Sequence, residues 1–379
     1  MSNYRIPFNK PCLTGREFEY VSDAIRQGHA SGDGPYTRKC QALLESALGV
    51  KRALLTTSCT HALEMSALLL DLKPGDEVIL PSFTFVSTAN AFVLRGARPV
   101  FADIRRDTLN IDESQVERLI SAKTRAIVPV HYAGVACEMD ALQRLAEKHN
   151  LAMIEDNAHG LFGRYKQRLL GTIGHMATLS FHETKNFECG EGGALLVNSP
   201  EFVERAEIIR EKGTDRSRFF RGQVDKYTWV DVGSSYVLSD MLAAFLFAQL
   251  ESRNHIQTER RRVWSQYASE LTAWAADGGI RTPYIPEHCE QPYHMFYLIM
   301  KSLGERQNLI AHLARRGILA VFHYQPLHVS GMGRKFGFNP GDCPVTEDIS
   351  DRLVRLPLYS DLTGTEIAAV CEGIMSFRE

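Results

Sequence analysis

No stretch of the 379-residue sequence approaches an uninterrupted apolar run of about eighteen residues, the length a membrane-spanning helix needs. The N-terminal MSNYRIPFNKPCLTGREFEY has no apolar segment behind a basic start, so a secretory leader is not expected either. Blocks of basic residues are missing too. The 43 Lys and Arg against 45 Asp and Glu leave a net charge of −2, so neither nucleic acid nor an anionic membrane is expected as a partner. The 8 cysteines include no CxxC pair, which argues against a disulfide framework and, with the lack of a leader, for free thiols in the cytoplasm. GxGxxG, GxxxxGK with Ser or Thr, HExxH and GxSxG are all absent. The histidines of VFHYQPLH are spaced for a loop rather than a helix face, so no metal site is expected.

What is present is ordinary globular composition, 44% hydrophobic and 23% charged, in a chain long enough for a large unit and a smaller one. From about residue 50 to 197, short β-rich runs (DEVILP, ARPVFADI, TRAIVPVHY, LAMIEDNA, MATLSFH, GALLVN) alternate with helix-period segments such as MDALQRLAEKHN. That rhythm predicts an α/β fold with a mainly parallel sheet covered by helices. A helix stopped by Gly213 and a long helix over residues 239–276 are expected next, and DGGIRTPYIPEHCEQPYH marks a boundary by its glycines and prolines. The expected division is residues 1–276 for the large unit and 277–379 for a smaller C-terminal α+β unit.

The polar clusters fall just after the apolar runs, where open α/β sheets bind ligands. In SFHETKNFECGEGG, residues 180–193, Lys185 sits between a strand end and a Gly-rich turn. In MIEDNAHG, Asp156 ends a strand run and His159 follows. A strand-end carboxylate can simply cap the next helix, but together with Lys185 it suits pyridoxal phosphate. That cofactor needs a lysine amine to link to its aldehyde and a carboxylate to keep its ring nitrogen protonated. TTSCTHALEMSALLL offers a helix start that can hold a phosphate, although Ser58 or Thr60 can equally be a plain N-cap. Ser180 can add a hydroxyl. Phe85, in LPSFTFVSTANAF, can lie against a flat ring or belong to the core.

These residues resemble a known family. HETKN with GEGG, EDNAHG, PSFTFVSTANAF, VHYAGVACEMDAL, SGDGPYTRKCQALLE and FHYQPLH are similar to motifs of the DegT/StrS sugar-nucleotide aminotransferases across essentially the whole chain. FFRGQVDKYTWVDVGSSYVLSD resembles the branch that makes dTDP-4-amino-4,6-dideoxygalactose, the TDP-fucosamine of enterobacterial common antigen and some O-antigens. The resemblance implies a fold-type I, pyridoxal phosphate-dependent transferase acting as a homodimer with active sites at the subunit interface. It implies Lys185 as the Schiff-base lysine, Asp156 as partner of the ring nitrogen and His159 at the phenolic oxygen. It places Phe85 on the ring, and Ser180 with the Cys59–Thr60 backbone on the phosphate. The implied donor is L-glutamate, leaving as 2-oxoglutarate, and the implied acceptor is dTDP-4-keto-6-deoxyglucose. The alternatives are another keto-sugar nucleotide, amination at C3, or a cofactor-binding regulator without turnover. A related dehydratase replaces the lysine by histidine, so Lys185 argues against that chemistry. Where many members carry Asn and Arg, with the asparagine reaching the partner's phosphate site, this chain has Ser235 and Val237. Arg221, Lys226 and Tyr227 are candidates for a sugar diphosphate, and His323 and Tyr324 for the sugar itself.

Overall fold

The structure, a computed structural model, describes residues 4–377. A strand not among the expected runs comes first, β1 (Arg52–Thr56), and each apolar run then becomes a strand, beginning with β2 (Glu77–Pro81), β3 (Arg98–Ala102), β4 (Thr124–Ile127) and β5 (Ala152–Asp156). Two-residue strands β6 (Arg164–Tyr165) and β7 (Arg168–Leu169) follow, then β8 (Met176–Ser180) and β9 (Gly193–Val197). Seven of these form one sheet in the order β1-β9-β8-β5-β4-β2-β3. Strands β3, β2, β4, β5 and β8 pair in parallel, and β9 runs antiparallel to both β8 and β1.

The reversal at β9 has a local cause. Residues 181–192 connect β8 to β9 without a helix, and a parallel return normally needs a helical crossover. The connection instead folds back on itself, with the Phe181 amide on the Gly192 carbonyl at 2.8 Å and the Glu183 amide on the Gly190 carbonyl at 2.9 Å. Lys185 is carried on this excursion.

Alternation along the strands supplies two cores. Leu54, Leu195 and Val197 face the helices Cys59–Leu69 and Val203–Arg210, whereas Ala53, Leu55, Ala194 and Leu196 face Pro35–Leu48 and Asp240–Glu251. A sheet buried on both sides in this way reads as continuous apolar runs. The helix expected to stop at Gly213 ends at Arg210. Gly213 has φ +76°, and a Cβ there would meet the Asp231 carbonyl oxygen at 1.8 Å, so the glycine lets residues 231–233 return against the helix end.

The expected long helix is two, Asp240–Glu251 and Arg253–Asp277, parted at Ser252. The first buries itself under the large sheet. Val263, Tyr267, Leu271 and Ala275 of the second join a separate core with Ile6, Phe296, Leu298, Leu313 and Val354. This core lies on a three-stranded antiparallel sheet, β11 (Tyr297–Ile299), β13 (Leu353–Arg355) and β12 (Val321–Phe322), with helices Leu303–Arg315 and Gly364–Met375; β10 (Cys289–Glu290) pairs with β6. It therefore reaches back across residue 276 and takes in the start of the described chain. Among the described residues no helix is long and apolar enough to cross a membrane, and no cluster of three metal-ligating side chains occurs.

Candidate active site

The carboxyl ends of β2, β5 and β8 lie along one edge of the sheet, and a cavity of about 900 Å³ opens there against the smaller unit. Cys59, Thr60, Phe85, Asp156, His159, Ser180, Lys185, His323 and Tyr324 all line it. The fold thus gathers into one space the residues that the sequence pattern selects for the cofactor and the sugar. Arg221, Lys226 and Tyr227 are not brought there within one chain. Arg221 pairs with Glu207 at 2.7 Å, and Tyr227 packs on Phe219 and Arg216. Ser235 is exposed.

Asp156 ends β5 and is buried. Its Oδ2 accepts from the Thr88 hydroxyl at 2.7 Å and its Oδ1 from the Ala158 amide at 3.2 Å. Burial pushes the carboxyl above its ordinary value, against the pull of those two donors and of Lys185. The next residue back, Glu155, points to the opposite face by strand alternation. There it accepts from His131 Nε2 at 2.9 Å and from the amides of Gly171, Ile173 and Gly174 at 2.7–2.9 Å. Burial alone would raise the Glu155 carboxyl, but His131 and the amides outweigh it and hold it low. This clamp ties the turn between β7 and β8 to the strand that presents Asp156.

Lys185 is half-buried, and no side-chain hydrogen bond or ion pair holds its amine among the described residues. Desolvation lowers it to about 8, with Arg355 acting in the same direction and Cys59 and Asp156 opposing. Such an amine is still mostly protonated at pH 7, but gives far more free base near neutrality than an unshifted lysine. The neighbouring Cys59 thiol is pushed up to about 12, chiefly by burial, so it stays protonated and does not compete as a nucleophile.

Cys59 and Thr60 open the helix Cys59–Leu69, whose first amides have no intrahelical partner. Ser58 is its N-cap and accepts from the His61 amide at 3.1 Å; Thr60 donates to Ser87 at 2.8 Å. β9 begins against this helix start. A Cβ on Gly193 would lie 2.4 Å from the Cys59 nitrogen, so only glycine fits. Phe85 is 57% exposed on the cavity wall, with the tilted Tyr324 ring 6.2 Å away between centroids.

Imidazoles and phenols form the far wall. His159 stacks on His294 at 4.3 Å between centroids, and its Nε2 lies 3.4 Å from the Tyr324 hydroxyl. His323 stacks on Tyr324 at 3.6 Å and meets the Tyr132 hydroxyl at 2.6 Å. Burial pulls His159, His294 and His323 well below the ordinary imidazole value, and Lys185 and Arg355 add to it. These rings are neutral at physiological pH.

The residues present fit pyridoxal phosphate. Lys185 offers an unengaged amine, Asp156 a buried carboxylate, Phe85 an open aromatic face, and the Cys59–Thr60 helix start free amides. His159 Nδ1 is buried without a partner. Thr88, Glu155, His294 and Arg355 had drawn no attention in the sequence. Thr88 and Glu155 carried a signal, their places in the PSFTFVSTANAF and EDNAHG motifs, and nothing in the local pattern of the other two relates them to the site.

Comparison with known proteins gives the same picture. The pattern of the DegT/DnrJ/EryC1/StrS aminotransferase family matches residues 11–375. The uncharacterized protein MJ1066 of Methanocaldococcus jannaschii is 33% identical over 97% of this chain and 96% of its own length. The spore coat polysaccharide biosynthesis protein SpsC of Bacillus subtilis is 31% identical over 98% of this chain and 97% of its own. Among solved structures, the candidate sugar aminotransferase Spr1654 of Streptococcus pneumoniae superposes with a TM-score of 0.91 in its apo-form, at 28% identity over 98% of this chain and 97% of that one. Its PLP-form gives 0.90 at 27% identity, with 98% of both chains covered.

Proposed function

The chain belongs to the DegT/DnrJ/EryC1/StrS aminotransferase family, whose cofactor is pyridoxal phosphate, and from that premise we propose that it aminates a nucleotide-linked keto-sugar. The acceptor is dTDP-4-keto-6-deoxyglucose, the donor L-glutamate, and the products are dTDP-4-amino-4,6-dideoxygalactose and 2-oxoglutarate. The single observation that carries the transaminase reading is the pair Lys185 and Asp156, an unengaged amine and a buried carboxylate on one cavity. The sugar assignment is supported by the names of SpsC and Spr1654. The choice among sugars is supported by FFRGQVDKYTWVDVGSSY alone.

Pyridoxal phosphate, when bound, supplies the electron sink that makes a proton on the carbon bearing nitrogen removable. Lys185 would hold it through Nζ and could carry that proton between the two carbons flanking the substrate nitrogen, a role suited to an amine lowered to about 8. Asp156 would hold the ring-nitrogen proton, and Thr88 keeps its carboxylate aimed. His159, a neutral ring, would meet the phenolic oxygen, Phe85 would cover the ring face, and Ser180 with the first amides of Cys59–Leu69 would hold the phosphate. His323 and Tyr324 meet the sugar.

We place this chemistry in a cytoplasmic homodimer in which residues 213–234, with Arg221, Lys226 and Tyr227, approach the partner's cavity. The pathway served is O-antigen or enterobacterial common antigen synthesis. Incubation with a panel of keto-sugar nucleotides and glutamate tests the reading. Lys185 is fixed on one side of the cavity, so the face presented by the sugar sets the product. Proton NMR should show a small H3–H4 coupling, that of an axial amine at C4. A large coupling or amination at C3 would remove the TDP-fucosamine assignment and leave the aminotransferase.

A further inference from the structure

The residue after Lys185, Asn186, is buried and grips the turn of residues 292–294. Its Nδ2 donates to the Pro292 carbonyl at 2.6 Å, and its Oδ1 lies 2.9 Å from His294 Nδ1. The next two carbonyls of the turn are held by Arg260, from the helix Arg253–Asp277: the Tyr293 oxygen accepts from Nε at 3.1 Å and the His294 oxygen from Nη2 at 2.6 Å. Three successive carbonyls are thus each taken by a side-chain donor. Tyr293 stands among them at φ +56°, a left-handed conformation that a bulky residue keeps only where its surroundings enforce it.

The bonds of Asn186 decide where His294 carries its proton. A backbone carbonyl only accepts, so the Asn186 atom facing Pro292 must be the amide nitrogen, and the atom facing His294 must be the oxygen. His294 Nδ1 therefore donates, and Nε2 is the bare nitrogen of a neutral ring. Burial chiefly keeps a second proton off, and the surrounding cations add to it, among them the buried Arg260, which has no carboxylate partner among the described residues. The ring so fixed lies nearly flat on His159, 4.3 Å away with 19° between the planes. That leaves His159 Nε2 3.4 Å from the Tyr324 hydroxyl and Nδ1 buried without a partner. An orphaned buried N–H is rarer in folded proteins than an orphaned acceptor, so the His159 proton belongs on Nε2.

We propose that Asn186 and Arg260 are positioning residues for the cofactor site: they fix His294 with its proton on Nδ1 and, through the stack, hold His159 with its proton on Nε2 beside Tyr324. The inference rests on the transaminase reading above for its consequence, which is that the phenolic oxygen would meet one neutral N–H donor. A bare nitrogen there would repel that oxygen, and an imidazolium would hand it a proton. Asn186 also follows Lys185 directly, so the same two bonds fix the root of the lysine, whose backbone amide donates to the His182 carbonyl at 2.9 Å. One side chain thus sets both the amine and the ring opposite it.

Isotope-labelled histidine in the full-length, cofactor-free chain, read by nitrogen NMR, tests this, with His294→Gln and His159→Gln used to assign the signals. In the parent, His294 should carry a proton on Nδ1 and none on Nε2, and His159 the reverse. In Asn186→Asp an oxygen replaces the donor to Pro292 and a charge faces the ring, so His294 should become protonated on both nitrogens. Asn186→Ser, which removes both bonds and adds no charge, should leave His294 exchanging between tautomers. In the holoenzyme each variant should move the visible cofactor band and lower kcat by about tenfold to a hundredfold, the usual cost of a misplaced group, with KM for both substrates kept. A His294 proton on Nε2 in the parent would overturn the proposal, as would an unchanged ring pattern in both Asn186 variants. So would a rise in KM for either substrate with kcat intact, which would give these residues to substrate binding. If neither Asn186 variant folds, Arg260→Lys decides: it keeps the charge and loses the fork, and should broaden the His294 and His159 signals together and lower kcat, whereas sharp, parent-like signals with full kcat would count against the proposal. If the parent binds no pyridoxal phosphate, the transaminase reading falls while the ring-nitrogen measurements still decide how His294 is held.

Discussion

The Thr88 hydroxyl donates to Asp156 Oδ2 at 2.7 Å and stands 2.8 Å from the Thr84 hydroxyl. Thr88 lies in the helix Val86–Val93, whose N-cap is Phe85. One turn after β2 therefore sets both the exposed ring and the orientation of the carboxylate. Thr88→Val keeps the shape and leaves a buried carboxylate oxygen without its donor, costing about 1–3 kcal/mol. The lost bond is one that lowers Asp156, so its pKa rises further and the acid limb of kcat moves to higher pH. Thr88→Ser should restore the profile, which a purely packing role would not predict.

Asp156→Asn removes the charge that keeps the ring nitrogen protonated. The variant should fold, because the amide oxygen can keep the Ala158 donor while the Thr88 hydroxyl turns to accept from the amide nitrogen, yet lose about 10²–10³ in kcat. Steady-state turnover near that of the parent would contradict the assigned role.

Borohydride reduction of the yellow protein should fix the cofactor on the peptide carrying Lys185. Mapping to any other lysine would displace the whole arrangement.

In the cofactor-free protein the same lysine makes stability depend on pH. Its folded value of about 8 lies below the ordinary lysine value of 10.5, so between these values the unfolded chain binds more protons and stability rises with pH. Below about 8 the penalty is fully present. Lys185→Met should therefore melt higher than the parent at pH 7, and the gap should close as pH rises from about 8 to 10.5. A pH-independent gap would show that the amine is not desolvated.

Trp229 is 77% and Phe220 69% exposed, with Phe219, Tyr227 and Val230 nearby in sequence. A patch of this kind fits an interface between copies of the chain. Sedimentation should give about twice the 42.6 kDa of the chain, and Trp229→Asp should shift the protein toward the monomer.

Much of the fold was legible because strands buried on both faces must be apolar throughout, and DEVILP, LAMIEDNA, MATLSFH and GALLVN all became strands of the large sheet. β1 had not been singled out, and the direction of β9 could not be read from GALLVN, since parallel and antiparallel strands carry the same run. The long helix divided at Ser252 because its halves pack into different cores.

The sequence by itself determined the chemical inventory: an amine at Lys185, a carboxylate at Asp156, a helix start at Cys59 and a ring at Phe85, each just beyond an apolar run. Those positions are local, because parallel strands deliver their carboxyl ends to one edge whatever lies between them. Tertiary structure alone decided what acts on that inventory. Thr88 reaches Asp156 across 68 positions, His294 stacks on His159, and Arg355 comes from the other end of the chain. Burial, which lowers Lys185 and raises Asp156, is a property of the closed cavity, and no local pattern encodes it because desolvation depends on every group that surrounds the site.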